Sequence, residues 1–349
     1  RAAGRAPPLS PSLSLHRGLF LSLSLETLQP LGARGVDGMS RGARVCDGGG
    51  DAPTLRDWLA AGPYTLALSS SFFGFYSHAG SLAALEEVGL TPAAITGSSA
   101  GALAGAAWAA GLDARDGMRD FMLRTRREDA MRPFWRRPCA GLMKLNVGPL
   151  ESALPVLELE RTRVPCRVSV FDVLSLRTRV VTSGAIAPAV AASCAVPLLF
   201  APTVLDGRPC FDGGLGDCDA FAGCVPGERV LSIQHENKAH VAIDADASRP
   251  AGEPAQRPAS VRPLTLVDRL MRTLLSQHEP PKDTVVLTLS GLPFVAPDRM
   301  CLGERAMDEA TSATRAALDM RIARPGVGGV PATAGHIHVA CAPAPSAPR

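Results

Sequence analysis

Gly97-Ser98-Ser99-Ala100-Gly101 constrains this chain more than any other stretch. A short apolar run, Ala93-Ala94-Ile95-Thr96, precedes it, and a run of small residues from Ala100 to Gly111 follows. The first reads as a strand and the second as a helix. A Gly-x-Ser-x-Gly turn between strand and helix is sharp, and it presents the serine at its apex. Gly97 and Gly101 supply the close backbone approach. Ser99 then stands at a helix N-terminus, whose free N–H groups favour negative charge.

The pattern around this turn alternates. Tyr64 to Ser69 reads as a buried strand, Ser77 to Val88 as a helix and Pro92 to Thr96 as a second strand. Asp113 to about Glu128 reads as a helix with Asp113 as its N-cap. Strands follow at Cys166–Val173 and Thr178–Thr182, then a small-residue helix at Ala187–Ala195. Asp206-Gly207 joins Thr203–Leu205 to Arg208–Phe211 in a hairpin. A further strand is expected at Arg229–Gln234, a late one at Thr284–Leu289, and a late helix over 300–323. Alternation of this kind predicts a three-layer α/β/α domain with a mostly parallel central sheet. The expected division is a poorly ordered leader over 1–62, a core over 63–235 and a disordered insertion over 236–263. Helices and a strand packing on the core are expected over 264–325, and a tail over 326–349.

Composition narrows the chemistry. A net charge of +3 is too small to imply nucleic acid as a partner. Nine scattered cysteines with no CxxC pair indicate neither a zinc site nor a dense disulfide framework, and a reducing compartment is expected. No run of 18 apolar residues occurs. Residues 1–38 are rich in Arg, Ser and Leu, with no acid before Glu26. That composition suits an organelle transit peptide or translated upstream sequence, with Met39 as a candidate start. A cytoplasmic or peripheral membrane location is otherwise the expectation.

A serine needs a base to take its proton. Asp212, in Cys210-Phe211-Asp212-Gly213-Gly214, is the candidate: it follows a short strand, and Gly213 and Gly214 leave its carboxylate accessible. The same residues also make an ordinary turn. His235, His240, His278, His336 and His338 follow Asp212 in the chain, so a Ser…Asp…His order is available too. None of them sits in a recognisable loop signature. His78 is expected to orient backbone. His336-Ile337-His338 reads as an edge strand, and no third ligand for a metal accompanies it.

Four ordered blocks resemble the patatin-like phospholipase family. They are Leu66–Ser69 leading to His78-Ala79-Gly80 and Leu82-x-x-Leu85-Glu86; Gly97-x-Ser99-x-Gly101; Ala192–Phe200; and Asp212-Gly213-Gly214. The resemblance covers about residues 64–235. It implies Ser99 as nucleophile and Asp212 as general base of a Ser–Asp dyad. It also implies hydrolysis of a lipid acyl ester through an acyl-enzyme, with no cofactor and no metal. One block departs from the family. The glycines of its oxyanion loop fall on Ser70, Phe72 and Phe75, with Gly74 one place off. An oxyanion hole uses backbone N–H groups, so Ser71, Phe72, Gly74 and Ala100 are the expected donors. Phe72, Phe73 and Phe75 are expected to wall an acyl pocket. A non-catalytic acyl-lipid binding protein and a histidine-using α/β-hydrolase esterase are the alternatives. Residues 119–144 carry eight Lys/Arg around Phe134-Trp135, which suits peripheral contact with an anionic lipid surface or a solvated helix end.

Overall fold

The computed structural model describes residues 52–134, 142–236, 278–323 and 335–341. Its centre is the strand–turn–helix around Ser99. β1 (Thr65–Leu68) and β2 (Ala94–Ser98) are parallel neighbours and buried along their whole length. Full burial explains why neither sequence alternates between apolar and charged residues. Helix α1 (Leu55–Ala60) precedes β1, α2 (Phe75–Glu87) joins β1 to β2, and α3 (Ala100–Ala109) leaves β2.

α3 is built almost wholly from Ala and Gly, and the reason is distance. A Cβ on Gly101 would stand 2.1 Å from the Leu68 carbonyl oxygen of β1. Gly101→Ala is therefore expected to destabilise the fold by about 2 kcal/mol or more. A lowered urea midpoint with unchanged slope is the readout.

After α3 come α4 (Gly117–Arg124), α5 (Arg127–Ala130) and a small antiparallel pair, β3 (Met131–Pro133) with β4 (Met143–Leu145). α6 (Gly148–Ala153) leads to β5 (Cys166–Asp172), β6 (Arg177–Val181) and α7 (Ile186–Ser193). The hairpin of β7 (Thr203–Leu205) and β8 (Arg208–Asp212) follows, then β9 (Val230–Glu236), β10 (Thr284–Ser290), α8 (Gly303–Leu318) and β11 (Gly335–Ala340).

The main sheet has the order β11-β10-β9-β1-β2-β5-β8-β7, with β6 also on β5. From β11 to β5 every pairing is parallel, and β6, β8 and β7 add antiparallel ones. The architecture is the expected α/β one: a mostly parallel central sheet with flanking helices. Helices α1, α2, α3, α7 and α8 contribute to one large apolar cluster with Leu66, Leu68, Ile95, Leu231 and Leu287 of the strands. On the opposite face Ala67 and Val230 pack with Phe221 in a smaller cluster.

β5 is the splint that matters for the site. Its first half pairs with β2, ending at Ser98↔Ser169. Its second half pairs with β8, beginning at Val170↔Asp212. Ser99 and Asp212 are thus brought to neighbouring steps of one strand although 113 residues separate them.

Several expectations need correction. Leu55–Ala60, inside the expected leader of 1–62, is a helix: Thr54 caps it, and Leu55 and Leu59 are buried in the core. Gly335–Ala340, inside the expected tail of 326–349, is a strand bonded along β10. The single helix expected from Asp113 is two. Asp113 spends both carboxylate oxygens on the N–H groups of Asp116 and Gly117, so the first regular turn begins at Gly117. A break at Thr125–Arg126 separates α5. The insertion over 236–263 lies outside the described residues, except for Glu236 at the end of β9.

Candidate active site

Ser99 occupies the turn from β2 into α3 with φ +52° and ψ −118°. A residue with a side chain is strained there, and nucleophile elbows store strain of this kind. The tight turn leaves no room at Gly97, whose Cβ would meet the Ala102 nitrogen at 2.6 Å. Ser99 Oγ donates to Asp212 Oδ2 at 2.6 Å. The other carboxylate oxygen, Oδ1, accepts the Gly214 N–H at 2.8 Å. Gly213 allows the approach: a Cβ there would stand 2.2 Å from the Ser169 carbonyl oxygen. Gly214 is similarly close to Ser70. The motif glycines Gly97, Gly101 and Gly213 are thus at close backbone contacts, and Gly214 is at the Ser70 side chain.

Both members of the pair are buried. Burial is the main influence on Asp212 and raises its pKa to about 6, against the opposing pull of the Ser99 and Gly214 hydrogen bonds. At neutral pH the carboxylate is ionised, yet more basic than an ordinary aspartate.

Two consecutive side chains at the end of α7 hold the Ser99 backbone. Ser193 Oγ accepts the Ser99 N–H at 2.8 Å and donates to the Ser169 carbonyl of β5 at 2.7 Å. Cys194 Sγ lies 3.2 Å from the Ser99 carbonyl oxygen, and burial pushes its thiol pKa well up. Sequence reasoning placed Ser193 and Cys194 in a block without a role. Two small polar residues closing an alanine-rich helix shortly before the aspartate were the available signal.

Ser99 and Ala100 line a cavity of about 150 Å³ whose other walls are mainly apolar. Phe72, Phe73 and Phe75 line it as expected, facing Leu103, Val190 and Phe200. The Phe72 and Phe73 rings meet edge to face at 4.9 Å.

The expected oxyanion donors divide. Ala100 carries the first N–H of α3, and Phe72 stands at φ +53° in the loop after β1. Neither N–H is hydrogen-bonded within the described residues. Gly74 is different. Its N–H donates to the Ser71 carbonyl at 2.8 Å, closing a turn through Phe72 and Phe73, so it is not available. The Ser71 side chain is turned toward the buried His78, with Oγ 3.3 Å from Nε2. Ser71 does not line the cavity.

No described histidine bonds to Ser99 or Asp212. His78 Nε2 is 2.8 Å from the Ser69 carbonyl, and burial lowers its pKa to about 4, so the ring is neutral and orients backbone. His235 packs against it, the rings tilted by 36° with centroids 4.1 Å apart. His336 and His338 meet Thr288 and Ser290 on β10. His278 is described and makes neither contact, while His240 lies outside the described residues. Among the described residues no group of three His, Cys, Asp or Glu could hold a metal ion, and no helix is long and apolar enough to cross a membrane.

A buried serine on a strained elbow, bonded to a buried aspartate of the Asp-Gly-Gly turn, is the arrangement that the sequence resemblance implies. Residues 66–219 match the model of the patatin-like phospholipase family. That stretch holds Ser99, Ser193 and Asp212 and all four sequence blocks. That match supports a lipid acyl hydrolase at family level. Among solved structures the chain is similar to VipD from Legionella pneumophila, at 14% identity and a TM-score of 0.40, covering 75% of this chain and 68% of that one. It is also similar to the type III effector protein ExoU, at 13% identity and a TM-score of 0.30 over 73% of this chain. The match spans 53% of the ExoU chain. The comparison with curated proteins gave no match.

Proposed function

We propose that this patatin-like domain hydrolyses acyl esters of lipids through an acyl-enzyme, with Ser99 as nucleophile and Asp212 as general base. The observation that carries the reading is the 2.6 Å hydrogen bond from Ser99 Oγ to Asp212 at the wall of an apolar cavity. The acyl chain of the substrate enters the cavity among Phe72, Leu103 and Val190. Ser99 Oγ attacks the ester carbonyl as its proton passes to Asp212 Oδ2. The carbonyl oxygen becomes an oxyanion, for which the unengaged N–H groups of Phe72 and Ala100 are the donors at hand. Asp212 returns the proton to the leaving alkoxide. Water then attacks the acyl-enzyme, with Asp212 taking its proton, and the fatty acid leaves as Ser99 regains the proton.

The Asp212 carboxylate does this without a histidine because burial gives it the pKa of about 6 that a base needs near neutrality. Trapping of the acyl-enzyme tests the reading. Acid quench during turnover of a slow ester should leave an acyl mass on the peptide containing Ser99. Turnover with no such adduct would replace the covalent route by direct attack of water. His78→Gln, His235→Ala and His336→Ala are each expected to retain Ser99-dependent turnover. Loss of kcat in a folded variant of one of them would favour the histidine-using alternative.

Ser193→Ala is expected to lower kcat about tenfold or more while leaving KM nearly unchanged, because it frees the Ser99 N–H and loosens the elbow. Equal kcat in variant and parent would mean that Gly97, Gly101 and Cys194 hold the turn without it.

A further inference from the structure

Beside the cavity lies a surface that the proposed chemistry does not use. The stretch Val196-Pro197-Leu198-Leu199-Phe200 is apolar throughout. Val196 and Phe200 turn inward and line the cavity. Leu198 does the opposite: its relative exposure is 93%, and its φ is +68°. A residue with a side chain is strained in that region, and a leucine gains nothing from water. Folding alone would favour glycine or asparagine at such a tip. Leu199 and Val204 on either side of Phe200 are exposed as well.

The same stretch is tied to the β3–β4 hairpin. Met143 N–H donates to the Leu199 carbonyl, and Ala201 N–H donates to the Met143 carbonyl. In that hairpin Arg132 and Lys144 stand directly opposite each other, an arrangement of like charges that weakens strand pairing. Both are exposed, and neither side chain is paired with a described carboxylate. Other cations of the same basic stretch are committed: Arg119 to Glu304 and Asp308, and Arg124 to Asp120. Arg132 and Lys144 line a groove of about 500 Å³ with Phe134 and Val204, and no described carboxylate lines it. Leu145, Asn146, Val147 and Ala191 are shared between this groove and the wall of the cavity that holds Ser99.

We infer that this face docks the protein on an anionic lipid surface, with Leu198 inserted among acyl chains and Arg132 and Lys144 on the phosphates. A lone leucine at a protruding tip needs no shaped pocket in a fluid interface, whereas a protein partner would have to supply one. Two cations on the hairpin bonded to this stretch, unpaired among the described residues, complement the negative charge of lipid headgroups. The shared wall sets the acyl cavity against the bilayer. This docking does not depend on Ser99 being the nucleophile, and it is measured separately.

The full chain carrying Ser99→Ala, which leaves lipid intact, is sedimented with vesicles of phosphatidylcholine alone or with added phosphatidylglycerol. Phosphatidylglycerol is expected to raise binding about tenfold at low salt, and Arg132→Gln with Lys144→Gln to remove that gain. Leu198→Ser is expected to lower binding to both vesicles about tenfold. Leu198→Gly, which also relieves the backbone strain, should lower it as much. With Ser99 intact, hydrolysis of a soluble short-chain ester should be unchanged in all these variants. Equal binding to the two vesicle types, or parental binding in both Leu198 variants, would overturn the inference. So would a concentration-dependent dimer that Leu198→Ser dissolves while vesicle binding stays the same, since a second copy would then occupy the face. Absence of ester hydrolysis in the parent would count against the catalytic reading alone.

Discussion

Ser99→Ala is expected to reduce ester hydrolysis by about 10⁴-fold or more, because it removes the proposed nucleophile. The loss should fall on kcat. The cavity wall of Phe72, Phe73 and Leu103 is untouched, so substrate binding should persist. Stability should hardly change, since the alanine loses one hydrogen bond to Asp212 and keeps the elbow backbone, where Ser193 still accepts the residue-99 N–H. Kinetics on a soluble ester, with circular dichroism as a check on folding, separates the two effects. Full activity in the alanine variant would end the serine-hydrolase reading.

The second large effect belongs to Asp212. Asp212→Asn is expected to lower kcat by about 10²–10⁴-fold. The Asn oxygen can still accept the Gly214 N–H, but its amide nitrogen then faces Ser99 Oγ as a donor, and the serine proton has no base. In the parent protein kcat/KM should fall as pH drops below about 6, where the buried carboxylate takes up its proton. Stability runs the other way. The folded-state pKa of Asp212 is raised from 3.8 to about 6, so the folded protein binds the proton more tightly than the unfolded chain. This group's contribution to stability is fully present below the unfolded value and is lost as pH rises through about 6. Asp212→Asn should therefore keep or raise the Tm at pH 8 while nearly abolishing activity. A variant that is inactive because it is less stable at pH 8 would contradict the assignment.

The legible parts of the fold were those with a local physical cause. β1 was readable because a strand buried on both faces runs apolar, β2 because an apolar run leads into the Gly-x-Ser-x-Gly turn, and α3 because its small residues follow that turn, with Gly101 against the Leu68 carbonyl. The Asp206-Gly207 turn gave the β7–β8 hairpin. Ser99 and Asp212 could each be named, but not their contact. That contact depends on β5 changing partners from β2 to β8 after Ser169, a long-range register with no local pattern. The Ser193 clamp was hidden for the same reason: one hydroxyl joins residues 99, 169 and 193. α1 was missed because its six residues sit beside a glycine-rich stretch, and its helicity comes from burying Leu55 and Leu59. The loop after β1 was read one donor too generously. Gly74 promised a flexible amide, but closing the turn from Ser71 uses that N–H.

The central claim is that Ser99 is an activated nucleophile whose base is Asp212. Labelling with a fluorophosphonate, followed by peptide mapping, tests it most directly. At pH 7.5 the account predicts one phosphonylated residue, Ser99, with labelling that weakens as pH falls below about 6 and nearly vanishes in Asp212→Asn. An adduct on another residue, or undiminished labelling of Ser99 in the Asp212→Asn protein, would contradict it.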